Sequence, residues 1–174
     1  MNIRRVIIAA LLILAAFFIQ HNLLTAGDVM STAPNLLLIV CCAIGFLRGS
    51  VQGLAAGVFA GLLKDILIGN TLGYYTFIYM ILGYGCGLFQ KYVNSELLTF
   101  PLLFCGAGDL IFQCYIFFFN FALRNRIDLP FYLHHIMMPE IVYTVVSAVF
   151  VYQIIRKANE FLDRQERKQA KRFV

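Results

Sequence analysis

The sequence predicts an all-α integral membrane protein, with about six transmembrane helices in one bundle. Three observations lead there. Hydrophobic residues make up 61% of the chain and charged residues only 13%, against about 25% charged in soluble domains. Mean hydropathy is +0.80. Apolar runs recur along the whole chain, and Lys and Arg collect at their ends and in the last twenty residues or so. No stretch remains for a soluble domain of useful size. The expected organisation is a transmembrane domain over residues 1–157 and a basic cytoplasmic tail over 158–174. The net charge of +5 does not argue for nucleic acid, because most basic residues flank membrane helices.

The first segment, residues 6–24, follows Arg4 and Arg5. Its apolar core is short and is followed by Gln20-His21-Asn22, which is also the outline of a signal peptide ending near Ala26-Gly27. The small-x-small cleavage pattern is poor there and later helices need a first partner, so a retained helix is expected. The second segment opens at Pro34, a residue suited to a helix start, and runs to about residue 47. It is short for a span of about 20 residues, so it reads as a thin or broken helix, or one that reaches back to Met30. Arg48 marks a turn. The third segment, 51–68, is closed by Gly69-Asn70.

A fourth segment covers residues 72–90, with Tyr74 and Tyr75 at one end and Tyr92 past the other, placed as interfacial anchors. Gly83, Gly85 and Gly87 make its second half flexible or closely packed. The fifth, 97–123, is the longest and most aromatic, with Asp109 near its middle. A loop over 124–138 holds His134 and His135. The sixth opens at Pro139-Glu140, runs to about residue 155 and continues into the tail. With both ends cytoplasmic, Arg4, Arg5, Arg48, Lys91 and seven tail residues lie inside, eleven of the fourteen Lys and Arg. The positive-inside rule favours that orientation.

The third segment carries the strongest pattern. Glycines stand four apart at Gly45, Gly49, Gly53, Gly57 and Gly61; Asp65 takes the next place, then Gly69 and Gly73. A four-residue step drifts only about 40° around a helix. Gly53, Ala56, Gly57, Ala60 and Gly61 therefore share one bare face, along which another helix can approach backbone to backbone. Lys64 and Asp65 follow on the same helix. Neighbours on a helix diverge by about 100°, so each is expected to find a different partner. Asp65, in the outer third, can snorkel, and a role in helix contact is expected for it, with a solute pocket as the sharper option.

Asp109 at mid-membrane costs about 2.5–3.5 kcal/mol if charged, so it must face protein or water, or be protonated. A structural contact between helices is expected, with a proton or solute site as the alternative. Glu140 follows Pro139 in a first helical turn, where a carboxylate offsets the positive helix end. Cys41, Cys42, Cys86, Cys105 and Cys114 all lie in apolar spans without CxxC spacing and read as small apolar residues. His134 and His135 are adjacent, a poor geometry for one metal, and read as loop or interface residues. No metal, cofactor or catalytic group is expected, since none of the familiar nucleophile, zinc or phosphate motifs occurs. The tail, with Phe161 and Leu162 on a charged run, suits a positive-inside anchor or the anionic inner leaflet.

Pro34-Asn35, then Gly57, Gly61, Asp65, Gly69 and Leu72-Gly73, resemble the core signature of the MreD family of rod shape-determining proteins. That pattern is an apolar helix opened by Pro-Asn, then G-x-x-x-D-x-x-x-G-x-x-L-G at a membrane exit. Pro139-Glu140-x-x-Tyr143 resembles the start of the family's last helix, with Thr144 where an Asn often follows. Lys64 stands where an apolar residue is the family's habit. The resemblance implies a non-enzymatic scaffold in the bacterial inner membrane, binding the bitopic protein MreC. It also implies links to the actin-like MreB and to the glycosyltransferase–transpeptidase pair that builds peptidoglycan.

It further implies a fold like that of the substrate-binding subunits of energy-coupling-factor transporters. A vitamin-type solute-binding subunit is therefore the runner-up, with Asp65, Asp109 and Glu140 lining an outward pocket. Those subunits favour Ala-x-x-x-Ala on the first helix. Ala9, Ala10, Ala15 and Ala16 give no such pair. A transporter working alone, with Asp109 carrying protons, is disfavoured by the lack of a visible inverted repeat.

Overall fold

A computed structural model describes residues 3–26, 33–69, 71–91, 99–124 and 137–170. Tyr92, the His134–His135 pair and the last four residues lie outside them. Among the described residues there are six α-helices: α1 (Ile3–Ala26), α2 (Leu36–Arg48), α3 (Ser50–Leu67), α4 (Tyr74–Leu88), α5 (Thr99–Arg124) and α6 (Met138–Ala170). A 3₁₀ turn, Phe89–Lys91, extends α4. The chain is an all-α membrane bundle. Windows in α1, α3, α5 and α6 are long and apolar enough to cross a bilayer.

α2 is the shaft of the bundle. Every residue from Leu36 to Phe46 is buried, and α2 touches each of the other five helices. A helix that is apolar all round belongs inside. α2 is short, as the sequence leads one to expect, but continuous rather than broken: its 13 residues span about 20 Å and are enclosed by neighbours. Met30 lies outside the described residues. Pro34 does not begin the helix; Asn35 caps it, its side-chain oxygen accepting from the Leu38 N–H at 3.4 Å. The other helices show their apolar outer faces, as at Leu103, Phe118, Val142, Phe150 and Ile154, all more than half exposed. In a bilayer those faces meet lipid.

Gly49 alone separates α2 from α3, at φ 100°, a left-handed backbone conformation that glycine adopts without strain. Its amide closes α2 on the Gly45 carbonyl at 2.8 Å, and its carbonyl starts α3 by accepting from Gly53 at 2.9 Å. The reversal is tight enough that a Cβ on Gly53 would meet the Gly45 Cα. α3 then packs antiparallel against α4 with no side chains between them. A Cβ on Gly53 would strike the Gly83 carbonyl, on Gly57 the Tyr79 carbonyl and on Gly61 the Thr76 Cα. From the other side, a Cβ on Gly87 would strike the Ser50 Cα. The buried residues of α3 are Gly53, Ala56, Gly57, Ala60, Gly61 and Asp65.

α6 runs unbroken from Met138 to Ala170, 33 residues, continuing as one helix past residue 157. Its Asn159 side chain accepts from Arg48 Nε at 2.9 Å, and Arg48 Nη1 also reaches the Arg5 carbonyl at 3.3 Å. The start of α1, the end of α2 and the second half of α6 thus meet at one end of the bundle.

The glycines are not equivalent, and stability separates them. Gly57→Ala drives a methyl into the α4 backbone and should cost about 3 kcal/mol or more. Gly85, in the same helix as Gly83, has open space where a Cβ would go, so Gly85→Ala should be neutral or stabilise by up to about 1 kcal/mol. Reversible unfolding of the purified variants in detergent measures both.

Candidate functional site

The end of the bundle opposite Arg5 and Arg48 holds the buried polar side chains. Asp65 is in the last turn of α3 and only 2% exposed. Its Oδ1 accepts from the Tyr75 N–H at 2.8 Å. Its Oδ2 accepts from the Gly73 N–H at 2.9 Å, from the Thr76 N–H at 3.0 Å and from the Thr76 hydroxyl. One carboxylate therefore covers the amides at the start of α4, which have no partner within their own helix, and it faces the positive helix end. Asp65 does not snorkel to the membrane surface. It is consumed by the neighbouring helix.

The turn that brings those amides round contains Gly69 and Gly73. Both stand outside the packed glycine face, although they continue its four-residue spacing. Gly69 ends α3: its amide and that of Ile68 both donate to the Lys64 carbonyl, each at 3.0 Å. Gly73 precedes α4 at φ 95°, ψ −15°, again a left-handed geometry, with open space where a Cβ would go. This conformation turns its N–H toward Asp65.

Lys64 diverges from Asp65, as neighbours on a helix must, and lies among rings. Its Nζ is 4.4 Å from the Tyr75 ring centroid, 5.0 Å from Phe112 and 5.6 Å from Tyr79, inside the range of cation–π attraction. It donates to the Tyr79 hydroxyl at 3.4 Å. Lys64 and Asp65 thus both find partners within this chain.

Asn35 is the hub of a second set of contacts. Its Oδ1 accepts from the Tyr79 hydroxyl at 2.8 Å as well as from Leu38. Its Nδ2 donates to Asp109 Oδ1 at 3.4 Å, and its backbone N–H donates to Thr144 Oγ1 at 3.1 Å. One residue at the mouth of α2 therefore ties α4, α5 and α6 together. Gln20 adds α1, its Oε1 accepting from the Leu37 N–H at 3.2 Å. Asp109 is fully buried, and its Oδ2 has no hydrogen-bond partner. Glu140, half-buried in the first turn of α6 after Pro139, meets the Gln113 side chain.

The structure thus gathers Asn35, Lys64, Asp65, Asp109 and Glu140 at one end of the bundle. Gly53, Gly57 and Gly61 lie along the α3–α4 contact that leads to them. Tyr79, Thr144, Gln113 and Gln20 complete the cluster; Tyr79 and Gln113 escaped the sequence reading, and Thr144 and Gln20 entered it without a polar role. Tyr79 sits among tyrosines that read as surface anchors, and Gln20 among polar residues that read as the end of a span. Each is an uncharged polar residue in an apolar run, a signal too common to single one out. None of the described residues forms a metal-ligating cluster. The arrangement holds helices in register.

Compared with known proteins, residues 1–160 match the sequence profile of the family described as "rod shape-determining protein MreD". Neither the curated proteins nor the solved structures give a match.

Asp65→Ala strips four hydrogen bonds and exposes the start of α4, so a loss of about 3 kcal/mol is expected. Asp65→Asn keeps one acceptor oxygen and should lose roughly half as much. Tyr79→Phe removes the hydroxyl shared by Asn35 and Lys64 and should cost about 1–3 kcal/mol. Unfolding in a fixed detergent, or protease protection in vesicles, gives the ranking.

Proposed function

Because this chain belongs to the family of the rod shape-determining protein MreD, we propose that it is a non-enzymatic scaffold of the bacterial elongation machinery. Family membership gives it a role in determining rod shape, within the system that includes MreC and MreB. The family is one of shape-determining membrane proteins, not a known enzyme family. In this reading the chain seats the membrane helix of MreC and so fixes the position of MreC's outer domain. Through MreC, and with MreB on the cytoplasmic side, it helps control the glycosyltransferase–transpeptidase pair that builds peptidoglycan.

One observation carries the reading: α3 and α4 are fused backbone to backbone and locked by Asp65, leaving a rigid body with apolar outer faces. Such a body suits gripping other membrane helices, where close packing supplies the attraction. The proposed setting is the inner membrane, with both termini cytoplasmic. Arg5 and Arg48 share one end of the bundle while Asp65 and Glu140 lie toward the other, which fits the positive-inside rule. The tail beyond residue 157 then emerges on the cytoplasmic side as a continuation of α6.

A second reading rests on the buried polar cluster. The unmatched Asp109 Oδ2 beside Asn35 and Lys64 suits a solute-binding subunit of the energy-coupling-factor kind. A stoichiometric vitamin, or ATPase subunits, recovered with the gently purified protein would install that reading in place of the scaffold.

The test is replacement of the resident copy in a rod-shaped bacterium. Cells carrying Asp65→Ala should round up and lose MreC from affinity-purified membranes. Asp109→Asn keeps an acceptor for Asn35 and should leave rods and MreC capture intact, whereas a proton carrier would be disabled by it. Wild-type shape and MreC recovery from Asp65→Ala, at normal membrane levels, would refute the scaffold reading.

A further inference from the structure

Among the described residues Lys64 forms no ion pair. Three aromatic rings surround its ammonium where a carboxylate would be expected. We propose that Tyr75, Tyr79 and Phe112 form a binding site for a primary alkylammonium, which Lys64 fills as a tethered ligand and so closes to free solutes.

The rings are placed by contacts of their own. Tyr75 and Tyr79 come from α4 and Phe112 from α5, while Lys64 reaches in from α3. Phe112 stacks on Tyr75 at 6.3 Å and lies tilted against Tyr79 at 5.3 Å, separations at which aromatic pairs attract. Tyr79 is fully buried and Phe112 nearly so, and the Tyr79 hydroxyl is fixed on Asn35 at 2.8 Å. The walls of the site therefore stand whether or not the lysine is there. They meet the Lys64 Nζ at 4.4, 5.0 and 5.6 Å from the Tyr75, Phe112 and Tyr79 centroids, where negative ring faces attract a cation.

The resident group identifies the class of ligand. Its one hydrogen bond, to the Tyr79 hydroxyl at 3.4 Å, is long. The grip is thus mostly on charge and shape, and a compact ammonium on an unbranched stem supplies both. An anion would face the negative side of three rings, and a neutral ligand would forgo the cation–π attraction. Because Lys64 is tethered, its effective concentration at the site is on the order of millimolar or above, so a dilute free cation does not displace it. This inference does not rest on the scaffold reading. It parts from the solute-binding reading, which needs the site open in the unaltered chain.

Lys64→Ala removes Cγ, Cδ, Cε and Nζ, which n-propylammonium replaces atom for atom; 1-propanol has the same shape without the charge. The full chain is melted in mild detergent at neutral pH and constant ionic strength while either compound is titrated in. Propylammonium should raise the melting midpoint of Lys64→Ala with half-saturation at about 1 mM, reasonable for so small a ligand, and about tenfold more tightly than 1-propanol. Tyr75→Leu, added to Lys64→Ala, removes the nearest ring and should weaken the ammonium about fivefold while leaving propanol unchanged. The unaltered chain should respond to neither. Should Lys64→Ala fail to fold alone, refolding yield in the presence of each compound becomes the readout. Equal effects of the two compounds, or no effect of either, would overturn the proposal. So would an equal response from the unaltered chain, which would speak for the solute-binding reading. None of these outcomes depends on MreC.

Discussion

The interaction on which the rest of the bundle depends is the bare contact between α3 and α4. With no Cβ at Gly53, Gly57, Gly61, Gly83 or Gly87, the two backbones close to a distance that admits only one register. In lipid there is little hydrophobic force to bring helices together, so packing and polar contacts must do it. Asp65 then fastens the far end of the pair by satisfying amides that hydrocarbon would leave unpaired. The two devices support each other. The close approach brings the start of α4 to the carboxylate, and the carboxylate holds the register in which glycine faces backbone.

From that pair the order propagates inward. Fixing α4 fixes Tyr79, and the Tyr79 hydroxyl on Asn35 places the mouth of α2. Asn35 in turn collects α5 through Asp109 and α6 through Thr144. α2 is therefore held at its start by polar contacts from α1, α4, α5 and α6, at its end by Arg48 on Asn159 and the Arg5 carbonyl, and between them by packing. A buried helix with a specified mouth gives a bundle a unique arrangement, whereas apolar packing by itself tolerates sliding. The polar cluster is thereby explained as architecture, except for the Asp109 Oδ2, which the chain leaves unmatched.

The two ends of the bundle differ in kind. One end uses left-handed glycine geometry, a carboxylate and an aromatic cage around Lys64 to bury polar groups inside the protein. The other joins Arg5, Arg48 and Asn159 of the long α6, with a groove between α1 and α3 beside them.

By itself the sequence determined the class, the rough course of the helices, the bare face of α3 and the family signature. It could do so because hydropathy and four-residue spacing are local quantities. Only the tertiary structure decided that α2 is the enclosed shaft, that Asp65 caps α4, and that Gly69 and Gly73 build the turn that delivers those amides. It alone joined Asn35 to Tyr79, Asp109 and Thr144. The four-residue spacing of Gly61, Asp65, Gly69 and Gly73 runs past the end of the helix at Leu67 and on into a turn. A periodic pattern carries no mark of where its helix stops. Partners 44, 74 and 109 residues away are chosen by how helices pack, which no local window of sequence contains.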